Sequence, residues 1–312
     1  MSEHRLVIGL NAVLAALEGP SPCVLCVERS VGWALPFGAF DPGAHRTFEI
    51  GLRQFVELQA DVPLGYVEQL YTFGDMGREA PRAVMRDTEP SDRVVSVGYL
   101  GLAPECVPPA IDRAQWVDWY TYFPWEDWRD GAPSILTDDI LPKLDVWADS
   151  EDRRARLRAS FALEGVPWEE ERVLDRYELL YEAGLVPEEA RDRGETARAT
   201  DESLGRPMLS DHRRILATAI GRLRGKLRYR PILFQMMPEH FTLTDLQLAV
   251  EAILGFRLHK QNFRRSLESA GLVEKTDIVA ASTGGRPAAL YRASALALEK
   301  HSLGMTLPRM RQ

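Results

Sequence analysis

Residues 34–58, ALPFGAFDPGAHRTFEIGLRQFVEL, read as a loop that feeds a helix. Leu35-Pro-Phe-Gly38 and Pro42-Gly43 are turn signals. Beyond them Phe48, Leu52, Phe55 and Val56 recur at helical spacing, which predicts a helix over about Thr47 to Ala60 with those four side chains inward. Side chains at i, i+3 and i+4 share one face of a helix. Among its polar groups are Glu49, Arg53, Gln54 and Glu57.

The stretch resembles the signature loop and helix of the Nudix pyrophosphohydrolases, G-x5-E-x7-R-E-U-x-E-E-x-G-U, usually preceded by Leu-Pro-Gly. Ala44 stands where the first Glu is expected. In that family three helix carboxylates hold Mg²⁺, which neutralises a diphosphate and polarises it for attack by water. Aligned by the apolar pattern, those positions are Gln54, Glu57 and Leu58; counted strictly from Gly38, they are Arg53, Val56 and Glu57. Either register leaves one carboxylate of three. The resemblance therefore implies a Nudix-like fold with no catalytic residues and no metal.

The chain of 312 residues is long enough for two domains, with 45% hydrophobic and 27% charged residues, as in ordinary folded proteins. No apolar run reaches the roughly 20 residues of a membrane span, and the first residues read as strand, so a cytoplasmic protein with no membrane partner is expected. Cys23 and Cys26 lie in a strand-like run and are expected in the core; Cys106 is alone, and the six histidines show no zinc-site spacing.

Charge is divided unevenly. From residue 225 onward there are 13 Lys+Arg against 7 Asp+Glu, a net of +6; residues 1–224 hold 25 against 39, a net of −14. That asymmetry suggests an acidic body carrying a basic nucleic-acid module.

Leu6 to Leu17, Cys23 to Glu28, Tyr66 to Gly74 and Arg93 to Ala103 read as strands, and Trp33 to Phe40 as strand and loop. Glu68-Gln-Leu-Tyr-Thr-Phe-Gly74 and Val94-Val-Ser-Val-Gly-Tyr-Leu100 are similar to the "EQLYTFG … VVSVAYLAL" pair of the Nudix-related transcriptional regulators (NrtR-like proteins). Gly131 to Pro207 is a charged, helix-rich insert that common members of that family lack. Ser150 caps one expected helix, Glu169 to Ala183 forms another closed by Gly184 and Pro187, and Arg191 to Arg206 reads as a linker or mobile loop. Leu209 to Lys226 is an amphipathic helix with Ile215, Leu216, Ile220 and Leu223 inward. Arg213, Arg214, Arg222, Arg224 and Lys226 form its expected outer face.

Thr242 and Asp245 form a capping-box pair opening a helix with Leu246, Val250, Ile253 and Leu254 inward, ended by Gly255. A second helix runs from His259 to Ala270, stopped by Gly271, with Phe263, Leu267 and Ala270 inward and Lys260, Gln261, Arg264, Arg265 and Glu268 on the opposite face. Two short helices joined by a Gly-containing turn suggest a helix-turn-helix. Leu272 to Thr276 and Ala288 to Arg292 would add a wing whose tip holds Arg286. Arg pairs with guanine and Gln or Asn with adenine, so the expected DNA contacts are Thr242, Thr244, Lys260, Gln261, Asn262, Arg264, Arg265 and Arg286. Phe241-Thr-Leu, Glu251-Ala-Ile-Leu-Gly255, Asn262-Phe-Arg-Arg265 and Leu290-Tyr-Arg292 resemble the same regulators. His259 stands where they usually have a capping Asp.

The expected architecture is α/β (α+β): a Nudix-like α/β/α sandwich over 1–226 with its helical insert at about 131–207, then a winged helix-turn-helix over 227–312. The resemblance, closest to the alphaproteobacterial regulators of NAD synthesis (NadQ type), implies a homodimeric repressor on a palindromic double-stranded operator. The effector it implies is NAD, ATP or ADP-ribose. The nucleotide-binding candidates are Phe40, Arg53, Gln54, Glu57, Tyr71, Phe73, Arg82, Arg86 and Arg93. An active hydrolase using Glu57 with Glu49 or Glu68, and a sugar-responsive regulator on the same scaffold, are the competing readings.

Overall fold

A computed structural model describes residues 6–30, 32–62, 64–75, 93–195, 202–279 and 288–298. Arg82, Arg86 and Arg286 lie outside them. β1 (Leu6–Glu18) is the spine of a seven-stranded sheet. It pairs antiparallel with β2 (Ser21–Arg29) and β4 (Phe37–Ala39), and parallel with β6 (Arg93–Leu102). β3 (Gly32–Ala34) and β7 (Ala114–Asp118) flank β2, and β5 (Tyr66–Phe73) flanks β6. β7 has no counterpart among the expected strands: Gln115 and Asp118 in a five-residue run dilute its alternation.

The pleat sends alternate side chains to opposite faces. Leu10, Ala12 and Leu14 share one core with Leu52, Val56 and Ala60 of α1 (Phe48–Ala60). Val13 and Ala15 face the other way, onto Ile215, Leu216, Ile220 and Leu223 of α6 (His212–Tyr229). Helices thus cover both faces, as an α/β/α sandwich requires.

The insert forms α2 (Leu141–Trp147), α3 (Glu151–Phe161), α4 (Val173–Glu182) and α5 (Pro187–Asp192). Ser150 caps α3 as expected, accepting from Arg153 N. The expected linker from Arg191 is corrected at its described ends. Arg191 and Asp192 complete α5, and Leu204 is buried while Arg206 N donates to Thr121 O at 3.0 Å. The buried Leu204 anchors the second described end.

α7 (Leu243–Leu254) and α8 (Lys260–Ala270) are followed by the hairpin β8 (Val273–Val279) and β9 (Ala289–Ala293), a winged helix-turn-helix. A short helix α9 (Ala295–Leu298) follows. Leu246, Val250, Phe263 and Leu267 join the same continuous core as α6, Tyr177 and Leu180. No helix among the described residues is long and apolar enough to cross a membrane.

The outer-face reading of α6 is overturned. Arg213 and Arg224 are 0% exposed and Lys226 is buried; Arg222 is exposed and Arg214 is half-buried. The reason is charge supplied from afar. Glu126 meets Arg224, Glu188 of α5 meets Arg213, and Glu68 of β5 meets Lys226.

Candidate functional site

Thr47 opens α1 by accepting from Ile50 N at 3.2 Å, and Gln59 locks the helix to β4, accepting from Phe37 N and donating to Phe37 O at 2.7 Å. Gly38 lets the loop approach closely: a Cβ there would lie 2.5 Å from the Phe55 ring, which would have to shift. His45, which sequence reasoning passed over, fills the space under the loop. It is 6% exposed, meets Gln54 Oε1 at 2.8 Å through Nε2 and accepts from Asp41 N through Nδ1 at 3.2 Å. Phe40 packs edge-on to Phe48, centroids 4.7 Å apart, and lies 5.8 Å from the His45 ring.

Gln54 and Glu57 are exposed on α1, and Leu58 is 67% exposed beside them. Arg53 is committed elsewhere: Nε and Nη2 donate to Glu49 at 3.0 and 2.8 Å, and the guanidinium also reaches the carbonyls of Leu64 and Gly65. It clamps the loop after α1, which corrects the expectation of a guanidinium turned to a phosphate. No three His, Cys, Asp or Glu side chains among the described residues come together as metal ligands.

The other described nucleotide candidates, Tyr71, Phe73 and Arg93, are not brought to this face. Phe73 is 3% exposed and belongs to the core on the α6 side, with the Arg214 guanidinium 5.3 Å from its ring. It offers no open face for stacking on adenine, a second correction. Tyr71 stands edge-on to it at 5.4 Å and is 62% exposed. Arg93 closes the end of β5 by donating to Gly74 O. Phe40, Gln54 and Glu57 therefore form one group on the α1 side, and Tyr71 another on the α6 side.

Behind the loop His212 is wholly buried. Its Nδ1 accepts from Leu35 N at 3.0 Å, and its ring stands edge-on to Phe37. Burial, aided by Arg191 and Arg29, pushes its pKa down to about 3. It is a neutral acceptor pinning the loop just after β3 to α6. Cys23 and Cys26 are buried, as expected of core residues, and Cys26 Sγ lies 3.2 Å from Tyr122 Oη.

The basic module presents a second surface. Thr242 and Asp245 complete a capping box at α7. The Thr242 hydroxyl donates to Asp245 at 2.8 Å and accepts from Asp245 N at 3.1 Å, so its polar atoms serve the cap; Thr244 is exposed. On α8, Phe263 and Leu267 are buried, whereas Lys260, Gln261, Asn262 and Arg265 are exposed and Arg264 is half-buried. His259 makes no side-chain cap, the weakness its departure from the usual Asp predicts. Arg292 pairs with Glu274 across the wing at 3.1 Å.

The turn between α7 and α8 is tied to the body. Tyr120 Oη donates to Ala252 O at 2.7 Å, Trp128 N to Gly255 O at 2.6 Å and Arg257 Nε to Arg129 O at 3.2 Å. Gly255 has φ +83°, and a Cβ there would collide with Glu126 O. A seam cavity of about 470 Å³ is lined by Leu17, Pro20, Glu105, Met237, Asp245 and Ala249 among others.

Comparison with known proteins places these features. Residues 233–293 match the family model of the NrtR DNA-binding winged helix domain. A 92-residue stretch is 42% identical to the ADPR responsive transcriptional repressor NtrR of Acinetobacter baylyi; the match covers 30% of this chain and 36% of that relative, about a third of its length. Over 97% of this chain and 99% of the other, the fold is similar to Shewanella oneidensis NrtR crystallised with a 27mer DNA (TM-score 0.55, 20% identity). It is also similar to a MutT/nudix family protein from Enterococcus faecalis (TM-score 0.53, 15% identity, 94% of this chain and 88% of that one). The mixed α/β body is thus Nudix-like and the C-terminal unit a winged helix.

Proposed function

We propose that this chain is a transcriptional repressor that binds operator DNA through α8 and its wing and answers to an adenine nucleotide held by the Nudix-like body. The observation that carries the reading is the α8 surface. Lys260, Gln261, Asn262 and Arg265 are exposed together with half-buried Arg264, on the second helix of a helix-turn-helix that matches the NrtR winged-helix model. Amide and guanidinium groups read base edges, and Lys and Arg neutralise phosphates. A homodimer on a palindromic operator follows from the symmetry such reading uses. The division into a sensing body at 1–226 and a DNA module at 227–312 belongs to this reading.

ADP-ribose is the first effector to test, because the relative from Acinetobacter baylyi is named as responsive to it; NAD and ATP share its adenine nucleotide. Phe40, Gln54 and Glu57 on one side and Tyr71 on the other are its candidate contacts. Control of NAD-synthesis genes, as in the NadQ type, is the finer form of the proposal. A degenerate box fits it. In one register Gln54, bonded to His45, and Leu58 flank Glu57; in the other Arg53, paired with Glu49, and Val56 do, so Glu57 is the one carboxylate either way. This donor set does not fit Mg²⁺, which is usually held by more than one carboxylate, with substrate phosphates and waters. A sensor so built keeps its signal intact.

Two measurements decide the matter. Fluorescence anisotropy should show tighter binding to one of the chain's own promoter fragments than to random DNA at moderate salt; equal binding ends the reading. Thermal unfolding with ADP-ribose, NAD, ATP and pentose phosphates should show a raised midpoint with an adenine nucleotide. Release of AMP from ADP-ribose in Mg²⁺ would favour a hydrolase instead. A response to pentose phosphate alone would favour a sugar-responsive regulator.

A further inference from the structure

Glu126 sits in the turn after β7 and is 1% exposed. Its carboxylate receives two guanidinium groups. Arg176 of α4, inside the insert, donates through Nε and through Nη2 at 2.9 Å; Arg224 of α6 donates through Nη1. Burial alone would raise the pKa of this carboxyl, but the two cations outweigh it and hold it below the ordinary range.

Both arginines reach further. Arg176 Nη1 donates to the carbonyls of Ser160 and Glu169, at 3.1 Å each, within the insert. Arg224 Nε donates to Ile253 O at 2.8 Å, and its Nη2 lies 3.3 Å from the Tyr120 hydroxyl that donates to Ala252 O. Ala252 and Ile253 belong to the last turn of α7, whose carbonyls have no partners within their own helix and favour a nearby cation. From Gly255, held by Trp128 N, the four residues 256–259 lead to Lys260, the first residue of α8. One buried carboxylate thus joins the insert to the turn that aims the recognition helix.

A buried ion pair is weak evidence of net stability, because desolvation consumes most of its attraction. Fixing one arrangement of the parts is the better-attested use of such a group. This pair is also divided between elements that need not have met: residues 131–207 supply one guanidinium and α6 the other. Glu188 of α5 adds a second tie from the insert to α6 through Arg213, at 3.2 Å.

We infer that the insert is a brace that sets the orientation of the recognition helix, and that Arg176, acting through Glu126 and Arg224, is a positioning residue for DNA binding. The inference rests on the DNA-binding reading of α8 for its consequence, though not for its geometry. A dimer reads two half-sites at a fixed separation. A rigid seam therefore lets the protein discriminate operator spacing, whereas a loose seam tolerates several spacings.

The test uses the full chain with Arg176→Met, which keeps the apolar stem and removes the cation. Spin labels at Gln115→Cys in the body and Ser269→Cys on α8, in a Cys106→Ser background, report the distance distribution without DNA. The expected result is a broader distribution for Arg176→Met than for its parent. With DNA, Arg176→Met should bind a single half-site as the parent does. It should also lose about ten-fold of the preference for native spacing over spacing lengthened by about three base pairs, comparable with the cost of one mismatch. An unchanged distance distribution in the folded variant overturns the brace, as does an unchanged spacing preference. Should Arg176→Met fail to fold, Arg176→Lys carries the test. It keeps a cation beside Glu126 but lacks the fork that spans to Ser160 and Glu169, and an unbroadened distribution in it counts equally against the brace. If the parent protein prefers no DNA, the functional reading falls while the label distances still decide the seam.

Discussion

α6 and α8 are both amphipathic helices with rows of cations, and the fold treats them oppositely. On α6, Arg213 and Arg224 have no exposed surface, and each meets a carboxylate contributed by a distant segment. On α8, Lys260 and Arg265 stand in solvent on a helix whose buried side chains are Phe263 and Leu267, with Ala270 packed partly buried beside them. A helical wheel assigns both rows to water. It is right where the helix has one apolar neighbour and wrong where it is packed on several sides. Lys, Arg and Glu almost never enter a protein interior unpaired. The decisive information about α6 is therefore carried by Glu126 and Glu188, 98 and 25 residues away from their partners.

The comparison can be broken most forcefully at Arg224. Arg224→Ala leaves Ile253 O without its donor and Glu126 with one cation, and should cost about 3–5 kcal/mol of stability. That loss is read as a lowered midpoint in urea. A loss below about 1 kcal/mol would make α6 an ordinary surface helix.

The reciprocal substitution belongs on α8. Arg264→Ala should weaken DNA binding by about 1–3 kcal/mol if it reads a base, or lower the salt slope by about 1 if it meets a phosphate. Its stability should move by no more than about 0.5 kcal/mol. Titrations at several salt concentrations beside a urea melt separate the two helices: one variant changes folding, the other binding.

His212 sharpens the contrast on the buried side. Its folded-state pKa is about 3, against an unfolded value near 6.5, so the unfolded chain binds the extra proton between those values. Its contribution is therefore complete above about pH 6.5 and is lost progressively as pH falls toward 3, by at most about 1.4 kcal/mol per unit. Urea melts from pH 7 to pH 4.5 should show that slope, and His212→Asn, which keeps an acceptor for Leu35 N, should flatten it.

The smallest expected effect lies at the cap of α7. Thr242→Ala removes the hydroxyl that accepts from Asp245 N and should cost about 1 kcal/mol. If Thr242→Ala instead weakens DNA binding more than it weakens folding, the cap is also a phosphate contact.

Much of the fold was legible along the chain. The box helix, the capping box at Thr242 and the stops at Gly255 and Gly271 are local features, and the structure carries all of them. The candidate nucleotide site was less so. Gln54 and Glu57 lie on the exposed face of α1, but Phe73 is core and Arg53 clamps a loop. His45 carried no motif, since a lone histidine after Pro42-Gly43-Ala44 announces nothing. Its role exists only because the space beneath it lies between α1 and β1, where a Cβ on Gly51 would come 2.9 Å from His45 Nδ1.

By itself the sequence determined what nearest neighbours decide: where helices begin and end, which face of each is apolar, and how charge divides between body and module. Periodicity, capping and turn chemistry act over a few residues, so a chain can be read for them without its fold. Only the tertiary structure decided which cations are buried, which aromatics are core and how α8 is held to the body. Those outcomes depend on carboxylates and carbonyls brought from distant segments, and on whether their attraction outweighs the cost of leaving water.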